Sequence, residues 1–283
     1  MSPTSPSSSA QAAREALGVR LAQLRRDAGL NGRELSARCG WHPAKTSRIQ
    51  HGASVPSDDD IRAWCGACGA EDQAADLIAV ARAVDSLYVE WRRRHRNGLR
   101  KAQEDFNALH RRTRVCRAYV SNVIPGFLQT PAYATALLNT ITTFQGTPDD
   151  VPEAVATRIA RSRFLYEGGH RFHVLIEECV LRYRLGDAAT MAAQLHRLLT
   201  VMPLATVSLG IIPGDAPRAV WPLEAFTLCD GRHAVVETLT AEINVVQPSE
   251  VADYRRAFSQ LARMAVYGER ARELINSAAR GLS

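Results

Sequence analysis

The chain predicts two domains: a mainly α N-terminal domain, then an α+β domain built on a small, largely antiparallel sheet. Three observations predict this fold class. Apolar residues recur three and four apart through roughly the first hundred positions, and glycines punctuate the pattern. From about residue 102 that pattern gives way to helical segments mixed with alternating runs such as RFHVLIE and ATVSLGII. A chain of 283 residues, 46% of them apolar, also suffices for two cores at roughly 100–200 residues per domain. The expected division is a tail over 1–13, a first domain over 14–70, linker helices over 71–104 and a second domain over 105–283.

The opening MSPTSPSSSAQAA has neither a basic n-region nor an apolar h-region, so it does not read as a signal peptide, and its Ser/Pro content predicts a disordered tail. Within EALGVRLAQLRRDA (15–28), Leu17, Leu21, Leu24 and Ala28 form one helical stripe, which Gly29 ends. Asn31 is placed to cap a short second helix, GRELSARC, with Leu35 and Cys39 on one face. Gly40 supplies the left-handed residue that a tight turn between helices needs. A third helix follows in WHPAKTSRIQHG (41–52), with Pro43 in its first turn and Gly52 at its end. Thr46 and Ile49 are expected to face inward against Leu35, which turns Ala44, Lys45 and Arg48 outward.

Two short helices joined by a glycine turn, the second with a basic outer face, describe a helix-turn-helix, whose second helix enters the DNA major groove. The charge distribution supports that reading more than the total does. The formal net charge is a modest +6, but Arg14–Gly52 carries eight Lys/Arg against three Asp/Glu, and Asp58–Glu90 carries two against eight. The DNA-binding residues expected are Arg33, His42, Ala44, Lys45, Ser47 and Arg48. Ala44 lets the helix approach the bases, Arg48 is long enough for a base edge, and Lys45 and His42 suit phosphates. The alternative is a small helical bundle whose basic residues are simply solvated.

The run GVRLAQLRRDAGLNGRELSARCGWHPAKTSRIQHGASVPSDDDIRAW resembles the Cro/C1-type helix-turn-helix of the XRE family of transcriptional regulators. The resemblance rests on LAQLRRDAGL, the REL of the first motif helix, the Gly40 turn, SRI, Gly52 and Pro56. It implies a DNA-binding regulator. The family often carries Gln where Gly32 stands, polar residues at Pro43 and Ala44, and Glu at Gln50, so the family's base readout does not transfer. Arg48 alone among the usual reading positions keeps a side chain suited to a base contact, which predicts strong phosphate anchoring with sparse direct readout.

Ser57 and Asp60 form a capping-box pattern, after which Ile61, Trp64, Cys65 and Cys68 share one helical face. That spacing assigns the CxxC pair to packing, since a zinc site needs four ligands and no second pair exists. The six cysteines are scattered and do not read as a disulfide framework; no metal or cofactor is expected. A long helix is predicted from Gln73 to about Arg96, with Leu77, Ala81, Val84, Tyr88 and Trp91 alternately four and three apart. Its basic end, WRRRHRNGLRK, fits either a graze against DNA or a solvated face paired with the acidic block.

In the second domain, Thr130-Pro131 starts a helix, VPEAVATRIARSRFLYEGG reads as another ending at Gly168, and Asp187 opens a third. EAFTLC and HAVVETL flank Asp230-Gly231, a strong hairpin signal; EINVV follows as a strand, with closing helices near Ser249 and Glu269. There is no phosphate-binding glycine loop, nucleophile elbow, HExxH or dinucleotide fingerprint. Glu177 and Glu178 are expected to point to opposite faces, and His173, His196 and His233 have no motif around them, so no catalytic role is expected.

RAYVSNVIPGFLQTPAYATALL, RIARSRFL, VLIEECVLRYRLGDAATMAAQLHRLL and SLGIIP resemble the C-terminal domain of a large actinobacterial group, the WhiJ-like or Scr-type antitoxin-like regulators, across residues 105–278. This resemblance implies a regulator that works with a small acidic partner protein. The expected protein is a cytoplasmic homodimer without a membrane segment, reading a palindromic double-stranded DNA operator. The alternative is a small-molecule-responsive regulator, with an effector pocket formed by the sheet and covered by PGDAPRAVWP (213–222).

Overall fold

Leu17, Leu21 and Leu24 are each buried on one face of the first helix, α1 (Pro6–Asp27), and the remaining helices of the N-terminal unit assemble against this stripe. The computed structural model describes residues 6–83 and 88–282. It divides into a first unit, Met1–Tyr88 with Asn244–Ala252, and a second, Val89–Ile243 with Asp253–Ser283. In the first unit, α2 (Gly32–Arg38), α3 (Pro43–Gln50), α4 (Asp58–Cys68) and α5 (Ala74–Ala83) follow α1. Their core holds Leu35, Ile49, Ile61, Trp64, Cys65 and Leu77. Trp64 satisfies its indole N–H inside that core by donating to the Leu21 carbonyl at 3.0 Å.

Two expectations for this part of the chain change. Helix α1 begins at Pro6, whereas the sequence predicted a disordered tail to residue 13; SAQAA is alanine-rich and extends the helix it precedes. Residues 1–5 of that tail lie outside the described residues. The helix predicted from Gln73 to Arg96 is not continuous. After a short 3-10 turn (Glu71–Gln73) and α5, the chain runs as strand β1 (Tyr88–Glu90) and then a single turn, α6 (Trp91–Arg94). Trp91 shows why: its backbone N–H donates to the Thr240 carbonyl and its indole N–H to the Thr238 carbonyl, at 3.0 and 2.9 Å. The connection at residues 238–240, far away in sequence, supplies partners that the helical period of the sequence cannot reveal.

The second unit continues with α7 (Arg100–Arg112), β2 (Val115–Val120), α8 (Pro131–Gln145), α9 (Val151–Ile159), β3 (Arg171–Glu177), α10 (Ala188–Val201) and β4 (Val207–Ile212). Then come β5 (Phe226–Cys229), β6 (His233–Glu237), β7 (Ala241–Val245), α11 (Pro248–Met264) and α12 (Gly268–Arg280), with the end of β7 and the start of α11 counted in the first unit. The strands are ordered β1-β7-β6-β5-β2-β3-β4 in one mixed sheet. The expected small, largely antiparallel sheet is therefore corrected. Strand β2 was not anticipated, and it pairs in parallel with β3, which pairs in parallel with β4. Parallel neighbours require long crossovers, and helices supply them: α8 and α9 between β2 and β3, α10 between β3 and β4.

The antiparallel half is as expected. β5 and β6 join through Asp230, Gly231 and Arg232, with Asp230 and Gly231 both at positive φ (53° and 65°), the left-handed backbone that an Asp-Gly pair supplies to a tight hairpin turn. Asp230 also accepts the backbone N–H groups of Arg114 and Val115 through Oδ1, tying the hairpin to the start of β2. Thr130 caps α8 and Asp187 caps α10 as the sequence predicts. The predicted helix ending at Gly168 is instead α9 followed by a 3-10 segment, Ala160–Leu165, a tighter winding that turns Arg161, Phe164 and Leu165 inward. Val174, Ile176, Leu195, Leu198, Leu209 and Ile275 are among the side chains of the main core here.

Candidate functional site

Helix α2 starts from a complete capping box. Asn31 Oδ1 accepts from the N–H groups of Arg33 and Glu34, and Glu34 Oε2 accepts from the Asn31 N–H at 2.7 Å. Gly40 then turns the chain at φ 69°, and Pro43 opens α3. His42, expected at a phosphate, is the N-cap of α3: its Nδ1 accepts from the Ala44 N–H at 3.2 Å. Its place directly before a proline at the first helical position was the available signal, although imidazole is an uncommon cap.

The two motif helices meet through Thr46 and Ile49, both buried as expected. Ser36 and Thr46 hydroxyls lie 2.6 Å apart in that contact, and Ser36 Oγ reaches the Gly32 carbonyl at 2.7 Å. A buried polar pair fixes one register between the helices where leucines alone would allow sliding. From the other side, α1 closes on the end of α3 at Gly18. A Cβ there would fall 2.5 Å from the Gln50 carbonyl oxygen and 2.7 Å from that of Ile49. Only glycine permits this approach.

With those faces fixed inward, Arg33, His42, Ala44, Ser47 and Arg48 are exposed. Arg33 and Arg48 have no ion-pair partner among the described residues. Lys45 is placed differently from the expectation. It is half-exposed, its Nζ lies 2.5 Å from Asp60 Oδ1 on α4, and it sits 4.5 Å from the centre of the Trp41 ring. Burial pushes the Asp60 carboxyl up, but Lys45 and the Ser57 cap outweigh it and hold it below the usual range. The rest of the acidic cluster is also engaged, with Asp58 pairing Arg82 and Arg62, and Asp59 pairing Arg62. The outer face of α3 is thus left with guanidinium charge and little competing carboxylate.

Cys65 packs in the first core, with its thiol pushed up to about 11 chiefly by burial, and Cys68 is half-buried beside it. The basic run 91–101 belongs to the second unit, where Arg94, Arg100 and Lys101 are paired. Arg94 bridges Glu242 and Asp105, while Arg100 and Lys101 pair with Glu104 and Asp105. Neither sequence alternative for that run anticipated these partners. Arg92 and Arg93 have side chains outside the described residues.

In the second unit, Glu177 is buried. It accepts both guanidinium nitrogens of Arg218, at 2.7 and 2.8 Å, and the Tyr119 hydroxyl at 2.9 Å. Glu178 accepts from Arg182 and from the Gly214 N–H. These bonds clasp the 213–222 loop to the end of β3, so the loop expected to cover a pocket is a strap over two glutamates. His173 is half-buried on β3, His196 is exposed on α10 and His233 opens β6. Among the described residues, no group of three His, Cys, Asp or Glu side chains is placed to hold a metal ion.

A cavity lies elsewhere in this unit. It has a volume of about 560 Å³, within the usual range for small-molecule sites, and its walls include Phe106, Phe127, Leu138, Ile141 and Phe226. Arg158, Arg161 and Glu237 also line it. These residues were missed, although Arg158 and Arg161 are three apart on one face of the RIARSRFL segment.

Residues 16–78 match the family described as "Helix-turn-helix domain", and residues 103–277 match the family described as "Domain of unknown function (DUF5753)". No curated protein matches the chain. No helix among the described residues is long and apolar enough to cross a membrane.

Proposed function

Because the chain belongs to the family described as "Domain of unknown function (DUF5753)", with a helix-turn-helix DNA-binding domain preceding the matched region, we propose that it is a sequence-specific, non-catalytic transcriptional regulator. The observation that carries this is the exposed face of α3, held outward by Thr46 and Ile49, with Arg48 free on it and Ala44 giving room for close approach. On this reading α3 enters the major groove, Arg48 contacts a base edge, and Arg33 and Lys45 meet phosphates. The protein works in the cytoplasm as a homodimer on a palindromic operator. Its resemblance to the WhiJ-like group supports an antitoxin-like pairing of the second unit with a small acidic protein.

Binding of the protein to fragments of its own genome, followed by a base-by-base substitution series in the selected site, tests the reading. Arg48→Ala is expected to cost about 1–3 kcal/mol on the selected site and to relax preference at one base pair. Equal weakening on selected and random DNA would remove the base-reading role from Arg48. A second reading is favoured by the cavity: the second unit receives a small molecule that changes operator affinity, in place of or alongside a protein partner.

A further inference from the structure

The cavity is not a uniform apolar void. Arg161 is buried and Arg158 half-buried in its wall, and their hydrogen-bond partners are neutral. Arg158 Nε donates to Gln129 Oε1 at 2.8 Å; Arg161 donates to Asn107 Oδ1 at 2.8 Å and to Gln103 Oε1 at 3.0 Å. Among the described residues, neither guanidinium forms an ion pair with a carboxylate. Arg161 also lies 5.2 Å from the centre of the Phe106 ring. Burying a guanidinium beside another guanidinium is costly, and proteins ordinarily offset that with an anion.

Two features show that this arrangement is built. Gly126 lies against the pair: a Cβ there would fall 3.0 Å from Arg158 Nε and 3.2 Å from an Arg161 terminal nitrogen. Gln129 is oriented by donating its amide to the Ile124 carbonyl at 2.6 Å, which aims its oxygen at Arg158. The two stretches VIPGFLQTPAYA and RIARSRFL therefore meet at one place, the charged end of the cavity. Phe144 and Leu239 also line the cavity while remaining 71% and 73% exposed, which makes an apolar mouth.

The charges facing the space can be counted. The other titratable side chains lining it are His95, His110, Tyr119 and Glu237. Burial first, then the neighbouring guanidinium, brings Arg161 down to about 9, still charged at neutral pH. Burial pushes His110 down to about 3 and lowers His95, so both imidazoles are neutral there. Glu237 is open to the solvent of the cavity yet surrounded by protein, and that enclosure raises its carboxyl. Two guanidiniums therefore face a single carboxylate.

We propose that this cavity binds a small amphipathic organic acid, its carboxylate on Arg158 and Arg161 and its apolar body between the aromatic walls and the mouth. This deepens the second reading above, because it names the chemical class of the effector. A guanidinium pair suits a planar carboxylate, and the apolar walls disfavour a bare inorganic anion as the full ligand.

The test is calorimetric titration of the full chain without DNA, using octanoate, octan-1-ol, octylamine and acetate, then 4-phenylbutanoate with its matched alcohol. Each acid is expected to bind one saturable site at least tenfold more tightly than its alcohol, with octylamine and acetate weaker still. Arg158→Met is expected to reduce octanoate affinity tenfold or more while changing octanol affinity less than twofold. Arg158→Lys should restore part of the loss. Gly126→Ala, which crowds the guanidiniums without removing charge, should also weaken octanoate, and it serves if the arginine variant does not fold. Alcohols binding as tightly as their acids, or acetate matching octanoate, would overturn the proposal. Repeating the DNA titration with octanoate separates the two ideas. Saturable octanoate binding with unchanged DNA affinity keeps the ligand class and removes the regulatory reading, whereas no preference for either acid removes the ligand class whatever the DNA does.

Discussion

The two units bury polar groups in opposite ways. In the first, the interior is leucine, isoleucine, tryptophan and cysteine, and Ser36 and Thr46, the polar side chains buried there among the described residues, satisfy each other. In the second, Gln103, His110, Arg161, Glu177 and Gln194 are all buried, and several face a cavity or clasp a loop. The first unit spends its polar chemistry on its outer face, where a nucleic acid can meet it. The second turns much of its polar chemistry inward, toward a cavity and a clasped loop. An apolar interior tolerates no misfit of backbone, while a polar interior is sensitive to proton and ligand.

The sharpest way to break that contrast is a single methyl at Gly18. In an exposed helix Gly→Ala adds stability, by about 1 kcal/mol. Here the new carbon meets the Ile49 and Gln50 carbonyl oxygens, so Gly18→Ala is expected to destabilise the first unit by about 2–3 kcal/mol. Segment-resolved hydrogen exchange under native conditions reads this directly. Faster exchange in α1 to α4 with the second unit unchanged is the expected result, and a stabilised α1 would show that the close approach is absent in solution.

The same contrast explains what the sequence made legible. The helices of the first unit are specified locally, by the Leu17–Leu21–Leu24 stripe, the Asn31 and Ser57 capping boxes and the glycine at 40, so their order and inward faces could be read directly. Helix α7 could not, because its inward side carries Gln103, Asn107 and His110 beside Ala102, and Gln103 and Asn107 find their partner in Arg161, more than fifty residues away. Strand β2 was hidden for a related reason: VCRAYV carries Arg117 between buried neighbours and is specified by pairing with β3 and β5, both distant in sequence. The Lys45–Asp60 pair is not legible in the sequence because the capping pattern already accounts for Asp60, which serves both roles, with Oδ1 toward Lys45 and Oδ2 accepting from the Ser57 N–H. The stretches now seen around the cavity stood out in the sequence, but nothing local indicated that they would meet.

Acid sharpens the contrast next. His110 is stacked near Phe172, with Nδ1 at 2.9 Å from the Phe106 carbonyl and Nε2 buried without a partner. Burial lowers it to about 3 from its ordinary 6.5. Between those values the unfolded chain binds a proton that the folded one does not, so stability falls as pH falls through that window. The slope approaches about 1.4 kcal/mol per pH unit well below 6.5, which amounts to about 1.6 kcal/mol between pH 6.5 and pH 5. His110→Phe, which keeps the stacked ring, is expected to flatten the acid dependence of the second unit measured by urea titration at each pH. An unchanged difference between pH 6.5 and pH 5 would assign the acid sensitivity elsewhere.

The smallest effect concerns Lys45, where the outward polar chemistry of the first unit is partly turned back on itself. Its ion pair with Asp60 is half-exposed, and such pairs contribute at most about 1 kcal/mol, so the ammonium can be redirected to a phosphate at little cost. Asp60→Asn removes the competing charge while keeping a side chain that can still accept from the Ser57 N–H. Affinity for any DNA is then expected to rise slightly. The log–log salt dependence should steepen by up to about one unit, as one further phosphate contact would give, with base preference unchanged because Arg48 is untouched. Lys45→Ala should reverse the change and make the Asp60 substitution silent. If the salt slope is the same in all three proteins, Lys45 stays on Asp60 in the complex, and phosphate anchoring falls to Arg33 and to backbone N–H groups at the start of α3.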